Sequence, residues 1–189
     1  MPNLYIIGGA NGSGKTTAAL QILPYFLEVF EYVNADEIAA GLSPFNPESV
    51  AIQAGRLMLE RLENLVNSEA DFAFETTLAA RNFARFVREC QDKGYMINLI
   101  YFWLQSPELA IARVRRRVES GGHNIPEDTI RRRYERSRKN LIELYLPLCN
   151  RWIVYDNSNQ ILQLIAERPL NQEYIIYQAQ LWRQITINE

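Results

Sequence analysis

The sequence predicts an open, mostly parallel α/β sheet, on three observations. Short apolar runs alternate along the chain with longer amphipathic stretches, the pattern of strands joined by crossover helices. The first run, Leu4 to Ile7, stops at Gly8-Gly9 and feeds a glycine-rich loop followed by a helical stretch. The run Tyr95 to Leu104 is almost wholly apolar, which suits a central strand buried on both faces.

In chain order, Leu4–Ile7 reads as the first strand, and Thr16 to Leu23 as a short helix ended by Pro24. Tyr32–Asn34 reads as a second strand, and Gly41 to Pro47, with two prolines, as loop. Val50, Ala54, Leu57, Met58, Leu62 and Leu65 recur at three- and four-residue steps, which predicts a long amphipathic helix over 48–66. A third strand follows over 71–75, then a helix over 79–93 closed by Gly94. Ser106-Pro107-Glu108 opens a helix to about Ser120, Gly121-Gly122 breaks it, and Pro126-Glu127-Asp128 opens another to about Leu146. Trp152–Tyr155 is a last core strand, Leu162–Ala166 an edge strand, and the remainder is weakly patterned. With no repeat or linker, residues 1–189 read as one domain, with a core over 1–158 and an edge segment over 159–189.

A composition of 48% hydrophobic and 22% charged residues is that of a globular chain. The net charge of -2 gives no whole-molecule field for nucleic acid or anionic lipid. No apolar stretch approaches the ~18 residues of a membrane span, and no cleavable leader precedes the first strand. Cys90 and Cys149 form neither a framework nor a CxxC pair and read as reduced core thiols. The expected home is the cytoplasm.

The loop Gly9-Ala10-Asn11-Gly12-Ser13-Gly14-Lys15-Thr16, followed by Thr17, fits GxxxxGK[ST] between a predicted strand and a predicted helix. Its glycines let backbone amides turn inward around phosphate oxygens, and the helix N-terminus adds partial positive charge. Lys15 is expected on the β- and γ-phosphates of ATP, and the Thr16 hydroxyl on Mg²⁺. No Asn-Lys-x-Asp guanine reader is present.

Ligands of open α/β sheets sit at the carboxyl ends of the strands. Asp36 lies there, just past the second strand, placed to accept a proton from an attacking hydroxyl. The bland alternative is that Asp36 caps a helix opening at Glu37. Glu75 ends the third strand, where it can hold an acceptor hydroxyl or a Mg²⁺-bound water, with Thr77 donating to the same ligand. The Asp156-Asn157-Ser158 turn places Asn157 beside the adenine ring. The lone His123 excludes a histidine-based zinc site or a Ser-His triad.

Ten of the 20 Lys and Arg residues fall between Arg113 and Lys139, with only four acids among them. Arg113 and Arg117 share one helical face, and Arg132 and Arg136 another. Two such helices joined at Gly121-Gly122 suit a lid over a triphosphate, with arginine chosen for its bidentate fork. About half of these arginines are expected to be a solvated face. The near absence of aromatics in the cluster, Tyr134 apart, argues against single-stranded nucleic acid.

With these segments in place the chain resembles the zeta-toxin family of P-loop kinases. The resemblance rests on Gly8 to Thr17, Asn34-Ala35-Asp36-Glu37, Phe74-Glu75-Thr76-Thr77-Leu78, and the stretch from Arg117 through Gly121-Gly122-His123 to Glu127. It covers roughly residues 1–158. It implies a five-stranded parallel core like that of shikimate and adenylate kinases. It also implies transfer of the ATP γ-phosphate to a sugar hydroxyl, in the family that of UDP-N-acetylglucosamine. By position Asp36 looks like the base, Glu75 and Thr77 like acceptor contacts, and Arg117 like a phosphate clamp. The family's second lid arginine falls near His123, so Arg132 or Arg133 is expected to substitute. An arginine often found after the Glu-x-Thr segment is displaced to Arg81. Kinship further suggests an antitoxin protein as partner. The competing readings are an ATP-dependent switch without transfer chemistry and a polynucleotide 5′-kinase.

Overall fold

We describe the protein from a computed structural model, over residues 1–122 and 124–187. Strands β1 (Asn3–Gly9), β2 (Glu31–Val33), β3 (Phe72–Thr76), β4 (Met96–Trp103), β5 (Arg151–Asp156), β6 (Gln163–Arg168) and β7 (Ile175–Ile176) form one sheet in the order β2-β3-β1-β4-β5-β6-β7. The first five are mutually parallel, β6 runs antiparallel to β5, and β7 antiparallel to β6. The parallel core of five strands is as expected, but the sheet has seven. The tail after Glu167, weakly patterned in sequence, supplies β7 and the helix α8 (Ala179–Thr186). Its order comes from packing. The Trp182 ring stacks on Trp152 of β5 at 5.7 Å and 4°, and Arg138 donates to the carbonyls of Gln184, Ile185 and Ile187 at the end of α8, groups that no helical amide can reach.

The helices are α1 (Lys15–Phe26), α2 (Ala35–Leu42), α3 (Ala51–Asn67) after a 3₁₀ turn at Pro47–Val50, α4 (Asn82–Asp92), α5 (Pro107–Glu119) and α6 (Glu127–Asn140). The last continues through a π-helical turn, Leu141–Tyr145, into the single turn α7 (Leu146–Leu148). Two expectations need correction. Pro24 does not end α1, which runs to Phe26; the proline lies in the last turn, and Leu20, whose carbonyl loses its partner, is exposed. The helix near Asp36 starts at Ala35, not Glu37, and Asn34 caps it by accepting from the Asp36 amide at 2.9 Å.

The core fills both faces of the sheet. Leu4, Ile6, Phe72, Phe74, Leu99 and Tyr101 pack under α3, α4 and the end of α6, while Ile7, Ala73 and Phe102 pack under α1. A separate cluster joins Ala10 of the phosphate loop to Ala110 and Val114 of α5 and Ile130 and Tyr134 of α6. Arg115–Glu127 and Arg131–Glu108 ion pairs tie α5 to α6. Cys90 and Cys149 are buried and free, and burial pushes both thiols up to about 12. Among the described residues no helix is long and apolar enough to cross a membrane.

The chain leaves β1 toward one edge of the sheet and crosses to the other after β3, so the carboxyl end of β1 lies at the switch point where ligands bind. The phosphate loop occupies that point.

Candidate active site

The loop between β1 and α1 is wound so tightly that a side chain is excluded at two of its glycines. Gly9 and Gly14 have φ of +145° and +85°. A Cβ at Gly9 would stand 2.4 Å from the Phe102 carbonyl oxygen, and one at Gly14 2.6 Å from Asn157 Nδ2. The first amides of α1, at Lys15, Thr16 and Thr17, have no partner within the helix. Two polar atoms of the loop, Asn11 Oδ1 and Ser13 Oγ, are buried without a hydrogen-bond partner, and of the two the Ser13 hydroxyl can donate to a phosphate oxygen. A polyphosphate fits this cradle.

Lys15 lies inside it, 6% exposed, donating to the Ala10 carbonyl at 2.9 Å and standing 3.7 Å from Glu75 Oε1. Burial holds its ammonium below the ordinary lysine value, opposed by the charges of Glu75 and Asp36 and reinforced by Arg117. Glu75 is the hub of the site. Its Oε2 accepts from Thr16 Oγ1 at 2.9 Å, Tyr32 OH at 2.5 Å and Asn34 Nδ2 at 3.3 Å. Tyr32 and Asn34 were not read as site residues from sequence; Tyr32 lies in β2 and Asn34 just past its end, and only the pairing of β2 with β3 turns both onto Glu75. Burial and the Glu75 charge hold the Tyr32 phenol protonated, so it donates to the carboxylate.

Thr16 and Glu75 suit Mg²⁺. A Thr16 hydroxyl that donates to Glu75 turns its lone pairs away from the carboxylate, and Mg²⁺ keeps several waters when bound, which carboxylates receive. Bound there, the ion would neutralise phosphate charge. Tyr32→Phe removes the shortest of the bonds that aim Glu75. It is expected to weaken Mg²⁺ binding in the nucleotide complex about tenfold while leaving metal-free ATP affinity within about twofold, both measured by calorimetry.

Two cavities meet here. One, of about 230 Å³, is lined by Asn11, Gly12, Gly14, Lys15, Thr16 and Thr17 with Asp36, Glu75, Arg113 and Arg117. The other, of about 570 Å³, runs between α3, the β3–α4 loop and α6, and its lining includes Thr77, Arg56, Arg132, Arg133 and Arg136. Both contain Asn11, Lys15, Asp36 and Glu75. Because Asn34 caps α2, the exposed Asp36 carboxylate is not used as a cap and stands at the junction.

Of the other predicted residues, Arg113 reaches the phosphate loop, donating to Gly12 O at 3.4 Å and to Ser158 O at 3.0 Å. Arg133 lines the larger cavity and not the smaller one. Asn157, expected beside the adenine ring, braces the phosphate loop: its Nδ2 donates to Ser13 O at 2.8 Å. A cleft of about 450 Å³ nearby is lined by Arg113, Arg116, Ser158, Asn159 and Gln160. Arg81 is exposed at the N-cap of α4, and its neighbours Ala80 and Asn82 line the cavity while it does not. Arg56 was missed because it sits on a helix that reads as a core-packing amphipath. His123 lies outside the described residues. Of the ten basic residues in the α5–α6 region, Arg113, Arg117, Arg132, Arg133 and Arg136 line the two joined cavities. Arg115, Arg131, Arg138 and Lys139 are engaged in ion pairs.

A family model for Zeta toxin matches residues 1–167. The chain belongs to the zeta-toxin family. An uncharacterized protein of Haemophilus influenzae is 31% identical over 132 residues, which cover 67% of this chain and 88% of that protein. Among solved structures, the AvrRxo1-ORF1:AvrRxo1-ORF2 complex with sulphate ions matches 98% of this chain with a TM-score of 0.80 and 16% identity, and the same complex with ATP matches with a TM-score of 0.77. This chain spans 64% of the AvrRxo1 chain it matches. The PezAT chromosomal toxin-antitoxin system of Streptococcus pneumoniae matches 86% of this chain and 72% of its own, with a TM-score of 0.62 and 19% identity. The chain thus shares the fold of these structures and belongs to the family of the matched model.

Proposed function

We propose that the protein transfers the ATP γ-phosphate to a hydroxyl of an anionic small molecule, a UDP-sugar such as UDP-N-acetylglucosamine. The observation that carries this reading is the meeting of two cavities at Lys15, Asp36, Glu75 and Asn11. ATP lies along the phosphate loop, its triphosphate on the amides of residues 12–17, with Lys15, Arg113 and Arg117 around the phosphates. The Thr16 hydroxyl and the Glu75 carboxylate would hold Mg²⁺, which would supply positive charge against the phosphoryl oxygens. The acceptor lies in the larger cavity, whose Arg56, Arg132, Arg133 and Arg136 suit a diphosphate and whose Met58 and Phe83 suit an apolar ring face. Thr77 contacts its sugar. Asp36 accepts the proton of the attacking hydroxyl as its oxygen bonds to the γ-phosphorus and ADP leaves. The α5–α6 hairpin acts as a lid, and an antitoxin is a protein partner that such a site would have.

Labelled ATP incubated with a panel of sugar nucleotides, nucleosides and short RNAs tests the reading. Sugar nucleotides are expected to become labelled, and Arg133→Ala to raise the acceptor KM about tenfold with the ATP KM unchanged. Label on RNA 5′ ends alone would favour a polynucleotide kinase, and no label on any acceptor despite ATP binding would favour a switch.

A further inference from the structure

Two backbone irregularities of this chain converge on three consecutive carbonyls. The first is Leu78, a non-glycine residue with φ +59°, fully buried. A leucine rarely adopts that region, and it persists there only where its surroundings over-determine it. Those surroundings are visible: the side chain packs beneath β1, near Gly8 and Tyr101. The preceding threonines take up the turn, with Thr76 Oγ1 accepting from the Leu78 amide at 3.1 Å and Thr77 Oγ1 from the Ala79 amide at 3.4 Å. The result is that Thr76, Thr77, Ala79 and Ala80 face the 570 Å³ cavity while Leu78 is drawn into the core.

The second is the π-helical turn after α6, closed by the Leu146 amide on the Leu141 carbonyl, five residues back. In an α-helix, residues five apart diverge by about 140°. The wider π turn returns residue i+5 toward the face of residue i. Asn140 and Tyr145 are five apart, and both point at the same loop. Asn140 Nδ2 donates to Leu78 O at 2.8 Å and Ala79 O at 3.3 Å, and Tyr145 OH to Ala80 O at 3.0 Å. Both side chains are buried. Arg133, Arg136 and Asn140 follow at steps of three and four, so they share a face of α6, and Arg133 and Arg136 line the same cavity.

We infer that Asn140, with Tyr145 as a second anchor, is a positioning residue for the acceptor: it holds the Thr77–Ala80 wall at a fixed distance from the arginines of α6. The inference rests on the reading of the larger cavity as the acceptor site. One helix then sets both walls, and acceptor affinity depends on two side chains that no acceptor touches.

The test uses the full chain with UDP-N-acetylglucosamine as the acceptor probe. In Asn140→Ala, amide hydrogen exchange over residues 77–80 is expected to quicken about tenfold, with exchange over residues 12–17 unchanged. The KM for the probe should rise about tenfold with kcat within about threefold, and ATP affinity should hold within about twofold. Asn140→Asp should resemble Asn140→Ala at pH 8, since a carboxylate cannot donate to two carbonyls, and recover toward pH 5.5 as protonation restores a donor. A parental exchange rate in Asn140→Ala overturns the clamp. Equal losses for ATP and for the probe overturn the positioning role, because a general loss of structure would do the same. A wild-type protein that neither binds nor phosphorylates the probe counts instead against the acceptor reading of the cavity, and the exchange measurement still decides the clamp.

Discussion

Asp36→Asn is expected to lower phosphoryl transfer by about 10²–10⁴, the usual worth of a positioned general base, while calorimetric affinity for MgATP stays within about twofold. The substitution keeps size and hydrogen-bonding reach and removes the capacity to take a proton. The fold around it should survive, because the capping bond at this point runs from the Asp36 backbone amide to the Asn34 side chain and does not involve the carboxylate. Asp36 lines both joined cavities, so its loss should be felt in kcat more than in either KM. Transfer that persists within tenfold of the parent would remove Asp36 from the role of base.

Lys15→Met should weaken ATP binding about a hundredfold or more, and the pH dependence of the parent carries the sharper signature. Burial holds the free protein's Lys15 below its ordinary value of 10.5. A triphosphate favours the ammonium form and raises the same group when bound. The bound state therefore holds more protons than the free state in the window between the depressed value and the restored one, so binding takes up a proton there. ATP affinity should fall as pH rises through that window and be fully present below it. Calorimetry in buffers of different ionisation enthalpy measures the uptake directly, and Lys15→Met should abolish it. Proton release on binding, or an unchanged slope in the variant, would show that another group carries the effect.

Much of this protein was legible before its structure. The phosphate loop could be read because its chemistry is local: glycines at fixed offsets, a lysine and a threonine, between a strand and a helix. The five parallel strands were legible from alternation of apolar runs with helical periods, and Asp36 and Glu75 from their places at strand ends. The arginine cluster announced itself by charge, but not its division of labour. Arg115 and Arg131 pair with Glu127 and Glu108 on the facing helix, while Arg132, Arg133 and Arg136 turn to a cavity.

What escaped the sequence was decided by partners far away in the chain. Tyr32 and Asn34 matter because β2 lies beside β3 and turns them onto Glu75. Asn157 braces Ser13 across 144 residues, and Asn140 meets Leu78 across 62. The tail became strand and helix because Trp152 and Arg138 receive it. Local backbone preference and periodicity depend on near neighbours, so the chain by itself determined the elements of its core, its phosphate loop and the acids at its strand ends. Register, side-chain direction and the pairing of buried polar groups depend on which surfaces come together, and those only the packed fold decided.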